Sequence, residues 1–226
     1  MNSRPISPVS VTTAVILAGG LSRRMFVSGS ATDVADKALL QLGGETMLDR
    51  VLRRIKPQVS HVVLNANGDP ARFAALRVPV IPDPVGGYVG PLAGILAGMR
   101  WARANDPRTT HIVTVSSDVP FLPLDLVTRL ATVAAGRPDA VVLAASSGET
   151  HSVIGCWPVA HEADLAARLA AGDRKVVDWA RRHGVETVSF RPVRIGRTDV
   201  DPFFNANTPD ELAEARRIVE GDTYAP

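Results

Sequence analysis

Short β-branched runs alternate along the chain with stretches in which apolar residues recur every three or four positions. Residues 11–17 (VTTAVIL), 61–65 (HVVLN), 78–81 (VPVI), 111–115 (HIVTV), 140–144 (AVVLA), 153–157 (VIGCW) and 187–190 (TVSF) have the length and residue types of buried strands. Between the first two, Leu48, Val51, Leu52 and Ile55 fall at i, i+3, i+4 and i+7, which predicts an amphipathic helix over 46–55. Leu92, Ile95, Leu96 and Met99 repeat that spacing after Gly90-Pro91, with the proline suited to a first helical position. Helices are also predicted over 69–76, 123–133, 161–169 and 176–183. The last begins at Thr208-Pro209-Asp210-Glu211, a capping box in which Thr208 accepts an amide and Glu211 reaches back.

Strands alternating with helices of about ten residues predict an α/β fold of three layers, a mainly parallel sheet with helices on both faces. Ligands of such sheets gather at the carboxyl ends of the strands. The loops with unusual chemistry, 18–24, 65–67, 83–90 and 116–120, all follow predicted strands, so they are expected on one rim. No repeat, low-complexity tract or linker divides the chain, and a short lead-in over 1–10 followed by a single domain over 11–220 is expected.

Composition narrows the chemistry. The 226 residues are enough to bury a sizeable core, and 46% hydrophobic with 21% charged residues is ordinary for a globular chain. No apolar run reaches the roughly 18 to 20 residues that a membrane span needs, and the first ten residues lack a secretory h-region. Cys156 is the single cysteine, which excludes an internal disulfide and a thiolate cluster, so a reducing cytoplasm is the expected location. The five histidines show no paired metal spacing, so any metal is expected on oxygen ligands. A net charge of +2, with basic residues interleaved among acids, does not point to nucleic acid.

The first loop, Leu17-Ala18-Gly19-Gly20-Leu21-Ser22-Arg23-Arg24-Met25, lets backbone amides approach phosphate oxygens while guanidinium groups neutralise them. It is neither a Walker loop nor a dinucleotide fingerprint, and an ordinary glycine-rich turn is the other reading. Lys37, in Asp36-Lys37-Ala38-Leu39-Leu40, is either an ammonium presented to a triphosphate or a surface lysine. Asp118, followed by Val119-Pro120, stands where a metal bridging phosphates would be held, or it caps a turn. Asn65 and Asp83 suit a purine edge and ribose hydroxyls, or turn chemistry. Gly90 opens the GPLAG segment, where a ligand could lie against helix-start amides, although helix packing alone explains Gly94. Asn205 and Asn207 precede the last helix as ligand amides or as cap residues, and Arg174 and Lys175 face an anionic second substrate or only water. His151, Cys156 and Trp157 are expected to be structural.

Taken in order, LAGG-x-S-x-R-M, D-K-x-L, N-x-N, GPLAG, S-D-x-P and N-x-NTP-x-EL make the chain resemble the molybdenum cofactor guanylyltransferases, nucleotidyltransferases with a Rossmann-like fold. The resemblance implies transfer of GMP from GTP to the terminal phosphate of molybdopterin, forming the guanine dinucleotide cofactor and pyrophosphate, with magnesium (Mg2+) as cofactor. It further implies nucleotide contacts from Leu17, Ala18, Gly19, Gly20 and Gly90, phosphate contacts from Lys37 and Arg24, and guanosine contacts from Asn65 and Asp83. Asp118 would bind nucleotide and magnesium, within a GTP half over 11–120. Arg174, Lys175, Asn205 and Asn207 would serve the acceptor half over 121–220, with cofactor-supplying and cofactor-receiving proteins as partners. The chain departs from the family in residues 26–35, which lengthen the segment between R-M and D-K and are expected to close over bound phosphates. The alternatives are a nucleotidyltransferase for another base or acceptor, such as CTP or a sugar or alcohol phosphate, and a non-catalytic GTP-binding regulator. Lys37 together with Asp118 argues against the regulator.

Overall fold

The computed structural model describes residues 10–18, 37–84 and 90–223. Gly19, Gly20, Arg24 and the 26–35 segment lie outside the described residues. The elements run β1 (Val11–Leu17), α1 (Met47–Ile55), β2 (His61–Asn65), β3 (Val80–Ile81), α2 (Pro91–Asn105), β4 (His111–Ser116) and α3 (Leu126–Gly136). They continue as β5 (Val141–Ser146), β6 (Glu149–Pro158), α4 (Glu162–Ala170), α5 (Val176–His183), β7 (Val185–Ser189), β8 (Val193–Ile195), β9 (Thr198–Val200) and α6 (Pro209–Thr223).

Seven strands form one sheet in the order β3-β2-β1-β4-β6-β5-β7. Only β6 runs antiparallel to its neighbours. Alternate residues of each strand face opposite sides, as the two-residue period requires. Ala14, Ile16 and Val113 pack with Leu48, Val51, Leu130 and Ala134 of α1 and α3. Val15, Val63 and Ile112 pack with Leu92, Ile95 and Met99 of α2 and with Leu165 and Trp179 of α4 and α5. The three-layer, mainly parallel expectation therefore holds.

A third apolar cluster joins Leu42 and Met47, early in the chain, to Phe121, Ile195, Val200, Ala206, Leu212, Ala215 and Val219. It docks the β8–β9 hairpin and α6 against the start of α1. By the same packing, the 201–207 loop comes to lie beside Lys37.

Several elements differ from the sequence expectation for identifiable reasons. Residues 69–76 form a 3-10 stretch, Pro70–Leu76, capped by Asp69 and ended by Arg77 at φ 51°. Only Phe73 is buried there, so no continuous apolar stripe favours an α-helix. Strand β6 begins four residues before the expected 153, because Ser147 and Gly148, both at positive φ, make a two-residue turn that pairs Ser146 with Glu149. Helix α3 starts at Leu126 rather than 123, and β7 spans 185–189 rather than 187–190. The β8–β9 hairpin, with three residues in each strand, is absent from the sequence prediction.

Candidate active site

The strand register levels the rim. Leu17 pairs with Asn65 on one side and Ser116 on the other, and Asn65 pairs in turn with Ile81. The residues that leave β1, β2, β3 and β4 consequently emerge side by side. The Ala18 amide donates to the Asn65 carbonyl at 2.9 Å, and the Ser117 amide donates to the Leu17 carbonyl at 3.1 Å. Leu17, Ala18, Asn65, Asp83 and Asp118 are thus on the one rim that the sequence predicts.

Lys37 links the early and late parts of the chain. It opens a short 3-10 turn whose Ala38 is buried, so its own side chain is directed along the rim. Its Nζ donates to Asp118 Oδ2 at 2.7 Å and to Asn207 Oδ1. The Ser116 hydroxyl donates to the other oxygen, Asp118 Oδ1, and the Ala206 amide donates to the Asp118 carbonyl at 3.2 Å. The side chains of Lys37 and Asp118 are only 12% and 16% exposed, so water screens this pair less than a surface ion pair. A carboxylate presents about four lone-pair sites, and donors among the described residues take two of them on Asp118.

On one side of this junction, Asn65, Asn67 and Asp83 form a closed polar cluster. Asn65 Nδ2 donates to Asp83 Oδ1 at 3.0 Å and Asn67 Nδ2 to Asp83 Oδ2 at 2.7 Å, while the Asp83 amide donates to Asn67 Oδ1 at 2.9 Å. Asn67 is thereby an added member of the site, visible in sequence only as the second asparagine of N-x-N in the 65–67 loop. Gly94 makes room for the cluster: a Cβ there would collide with Asn65 Oδ1 and stand 2.6 Å from Leu17 Cδ2. Gly90 caps α2 at φ 79°, a conformation that glycine adopts without penalty, and leaves the first helical amides without a side-chain cap.

On the other side lies a groove of about 480 Å³, lined by Ser116 and Val119 near Asp118 and, farther out, by Ser146, Ser147, His151, Asp201, Phe203 and Asn205. Asp201 is the hub. Its Oδ1 accepts from Ser146 Oγ and from the Phe203 amide, each at 2.8 Å, and its Oδ2 accepts from Ser147 Oγ at 2.8 Å. Burial works against the Asp201 carboxylate, but the Phe203 amide, the two serines and nearby His151 outweigh it and hold the group below its usual range. Burial pushes the His151 imidazole down, with Asp201 and Glu149 opposing that shift only in part.

Since Ser146 Oγ donates to Asp201, His151 Nε2, 2.7 Å away, must donate to Ser146. The serine sits between histidine and aspartate and hands no proton to the imidazole, so the trio is a scaffold and not an activated nucleophile. His151 also packs against Phe203, with centroids 4.7 Å apart and the rings tilted by 53°, in keeping with its structural reading. Asn205 Oδ1 is buried with no hydrogen-bond partner among the described residues, although the residue lines the groove.

The remaining expected residues are spread more widely. Asn207 and Thr208 donate their amides to Glu211 Oε2, each at 2.8 Å, which realises the predicted capping box at α6. Arg174 donates to the carbonyls of Leu169 and Asp173, and Lys175 lies 3.9 Å from Asp178, in the α4–α5 turn and outside the groove lining. Cys156 is fully buried in β6, with burial pushing its thiol up to about 12, so the expected core role stands. Sequence reasoning missed Ser146, Ser147 and Asp201; the Ser147-Gly148 and Asp201-Pro202 turn dipeptides were their only signals.

A family model for a MobA-like NTP transferase domain matches residues 14–187. The chain is 47% identical over 213 residues to a molybdenum cofactor guanylyltransferase of Bradyrhizobium sp. (strain ORS 278), covering 92% of this chain and 95% of that protein. It is 44% identical over 220 residues to the protein of the same name from Rhodopseudomonas palustris (strain BisB5), covering 97% and 99%. Among solved structures, the molybdopterin-guanine dinucleotide biosynthesis protein A of Archaeoglobus fulgidus shares the fold with a TM-score of 0.70, at 22% identity, over 92% of this chain and 99% of that one.

Proposed function

Because the chain belongs to the molybdenum cofactor guanylyltransferase family, we propose that it transfers GMP from GTP to the terminal phosphate of molybdopterin, yielding the guanine dinucleotide cofactor and pyrophosphate. The observation that carries this reading is the Lys37 junction, in which one ammonium bridges Asp118, beside the nucleotide loop, and Asn207, beside the groove. A phosphate-binding cation at the boundary of two subsites is what joining two phosphorylated substrates requires.

GTP occupies the side of Leu17, Ala18, Asn65, Asp83 and Gly90 in this proposal, together with Gly19 and Gly20. The Asp83 carboxylate only accepts hydrogen bonds, and guanosine offers it donors in N1–H, the 2-amino group and the ribose hydroxyls. A pterin phosphate oxygen attacks the α-phosphorus, the bond from that phosphorus to the β-bridging oxygen breaks, and pyrophosphate leaves with the electron pair. Lys37 and Arg24 neutralise the phosphates, and the rim holds both reactants in line, so positioning and charge supply most of the catalysis. Magnesium belongs to the same proposal, with Asp118 as its protein ligand. Asp118 would hold the ion through a carboxylate oxygen, the hard donor that such a cation takes. When bound, it supplies positive charge at the phosphate oxygens.

The groove beside Asp118 takes the pterin, with Asn205 in its lining, Asn207 on Lys37 at the junction, and Arg174 and Lys175 as more distant counter-charges for an anionic group. A cytoplasmic location and exchange of cofactor with other proteins complete the proposal; among the described residues no helix is long and apolar enough to cross a membrane. Pyrophosphate release from GTP, CTP and ATP, each with magnesium and molybdopterin, tests the reading. Release with GTP alone is expected. Faster release with CTP overturns the base assignment, and tight GTP binding without release from any nucleotide supports the regulator.

A further inference from the structure

We propose that Asp201, although it touches neither reacting phosphate, is the positioning residue of the acceptor groove. This rests on the reading that the groove receives the pterin. Asp201 lies in neither strand nor helix, at the start of the 201–207 loop, yet it accepts three hydrogen bonds, two of which tie the loop to the sheet. Ser146 ends β5 and Ser147 begins the β5–β6 turn, 55 and 54 residues away in sequence, and the Phe203 amide belongs to the loop itself. The Phe204 amide also donates to the Asp201 carbonyl at 3.0 Å.

Past this anchor, Phe203 is buried against His151 and Phe190, Asn205 lines the groove, the Ala206 amide meets the Asp118 carbonyl, and Asn207 receives Lys37. The anchor therefore sets where the groove wall stands relative to Asp118. Its bonds do not reach the Asn65–Asn67–Asp83 cluster, whose side-chain hydrogen bonds among the described residues stay within residues 65 to 83. Loss of the anchor should loosen the acceptor side and spare the nucleoside side.

The test uses the full chain as wild type, Asp201→Ala and Asp201→Asn. Asparagine keeps the shape and an accepting oxygen, and Ser147 Oγ can accept from its amide. Amide exchange of Phe203, Phe204 and Ala206 in ligand-free protein is expected to speed up at least ten-fold in Asp201→Ala and clearly less in Asp201→Asn. The KM for molybdopterin should rise at least ten-fold in Asp201→Ala, with partial recovery in Asp201→Asn, while the Kd for GTP stays within two-fold. Unchanged exchange, an unchanged acceptor KM, or a GTP Kd that rises in step with it overturns the proposal. If Asp201→Ala does not fold, Asp201→Asn carries the same criteria at a three-fold threshold. If the wild type releases no pyrophosphate with molybdopterin, the functional reading fails, and amide exchange alone decides whether Asp201 holds the loop.

Discussion

The two sides of the rim are built differently. On the nucleoside side, Asn65, Asn67 and Asp83 satisfy one another across 16 to 18 residues of chain, and the adjacent β1, β2 and β3 ends fix them in place. On the groove side, the wall is a loop held through Asp201 by residues some 55 positions away, and Asn205 Oδ1 lacks a partner among the described residues. A cluster closed on itself presents the same donors and acceptors with or without a ligand. An unpartnered buried oxygen marks a place where the protein is incomplete by itself, since such a group ordinarily costs about 1–3 kcal/mol.

The comparison is sharpest at the junction. Asp118→Ala removes the carboxylate that Lys37 and Ser116 hold, so turnover should fall by about 10²–10³-fold, in the range of losing one preorganised electrostatic partner, while thermal unfolding stays cooperative. Near-normal turnover would remove Asp118 from the mechanism. Gly94→Ala should break the nucleoside side alone. The added methyl meets Asn65 and Leu17, overpacking of this kind costs about 1–3 kcal/mol, and the Kd for GTP should rise with little change in the acceptor KM. An equal change in both constants would show that the two sides are not separable. Arg174→Ala should raise the acceptor KM by only about three-fold, in line with the roughly 0.2–1 kcal/mol that exposed charges contribute. A larger effect would extend the acceptor site to the α4–α5 turn.

The smallest effect is expected at the opposite end of the sheet, where His111 of β4 binds the Pro138 carbonyl through Nε2, at 2.9 Å, and Thr110 Oγ1 lies 3.0 Å from Nδ1. Burial depresses this imidazole below its ordinary value of 6.5, only partly opposed by the Pro138 carbonyl and Asp139. The folded state therefore binds the proton less readily than the unfolded one, so stability is full above 6.5 and declines as pH falls through the folded value. Urea midpoints between neutral and mildly acidic pH should show this decline in the wild type and a flatter profile in His111→Gln. Identical slopes would contradict it.

How much of this was legible in sequence follows the same division. The ends of β1 and β2 agree with the prediction to the residue: the apolar run of β1 stops before Ala18-Gly19, and that of β2 stops at Asn65, the first residue of the N-x-N turn. Level register then carries Asp83 and Asp118 to the rim without further information. The predicted cap Thr208 also acts as local rules require, whereas Thr46, read as the first residue of a helix, is the cap of α1. The groove side was less legible because its contacts are non-local. Nothing near Asp201 announces that Ser146 and Ser147 will meet it, and strands as short as β8 and β9 carry too few alternations to be seen. Asn207 is intermediate: its position before a capped helix was readable, but its bond to Lys37, 170 residues away, depends on the third apolar cluster.

The central claim, that the rim joins a nucleotide to a phosphorylated pterin, is tested most directly by following GTP labelled at the α-phosphorus with molybdopterin and magnesium. The account predicts that the label leaves GTP only in a pterin dinucleotide, with unlabelled pyrophosphate released in equal amount. Label appearing as free GMP, or no label entering the pterin while pyrophosphate accumulates, would contradict it.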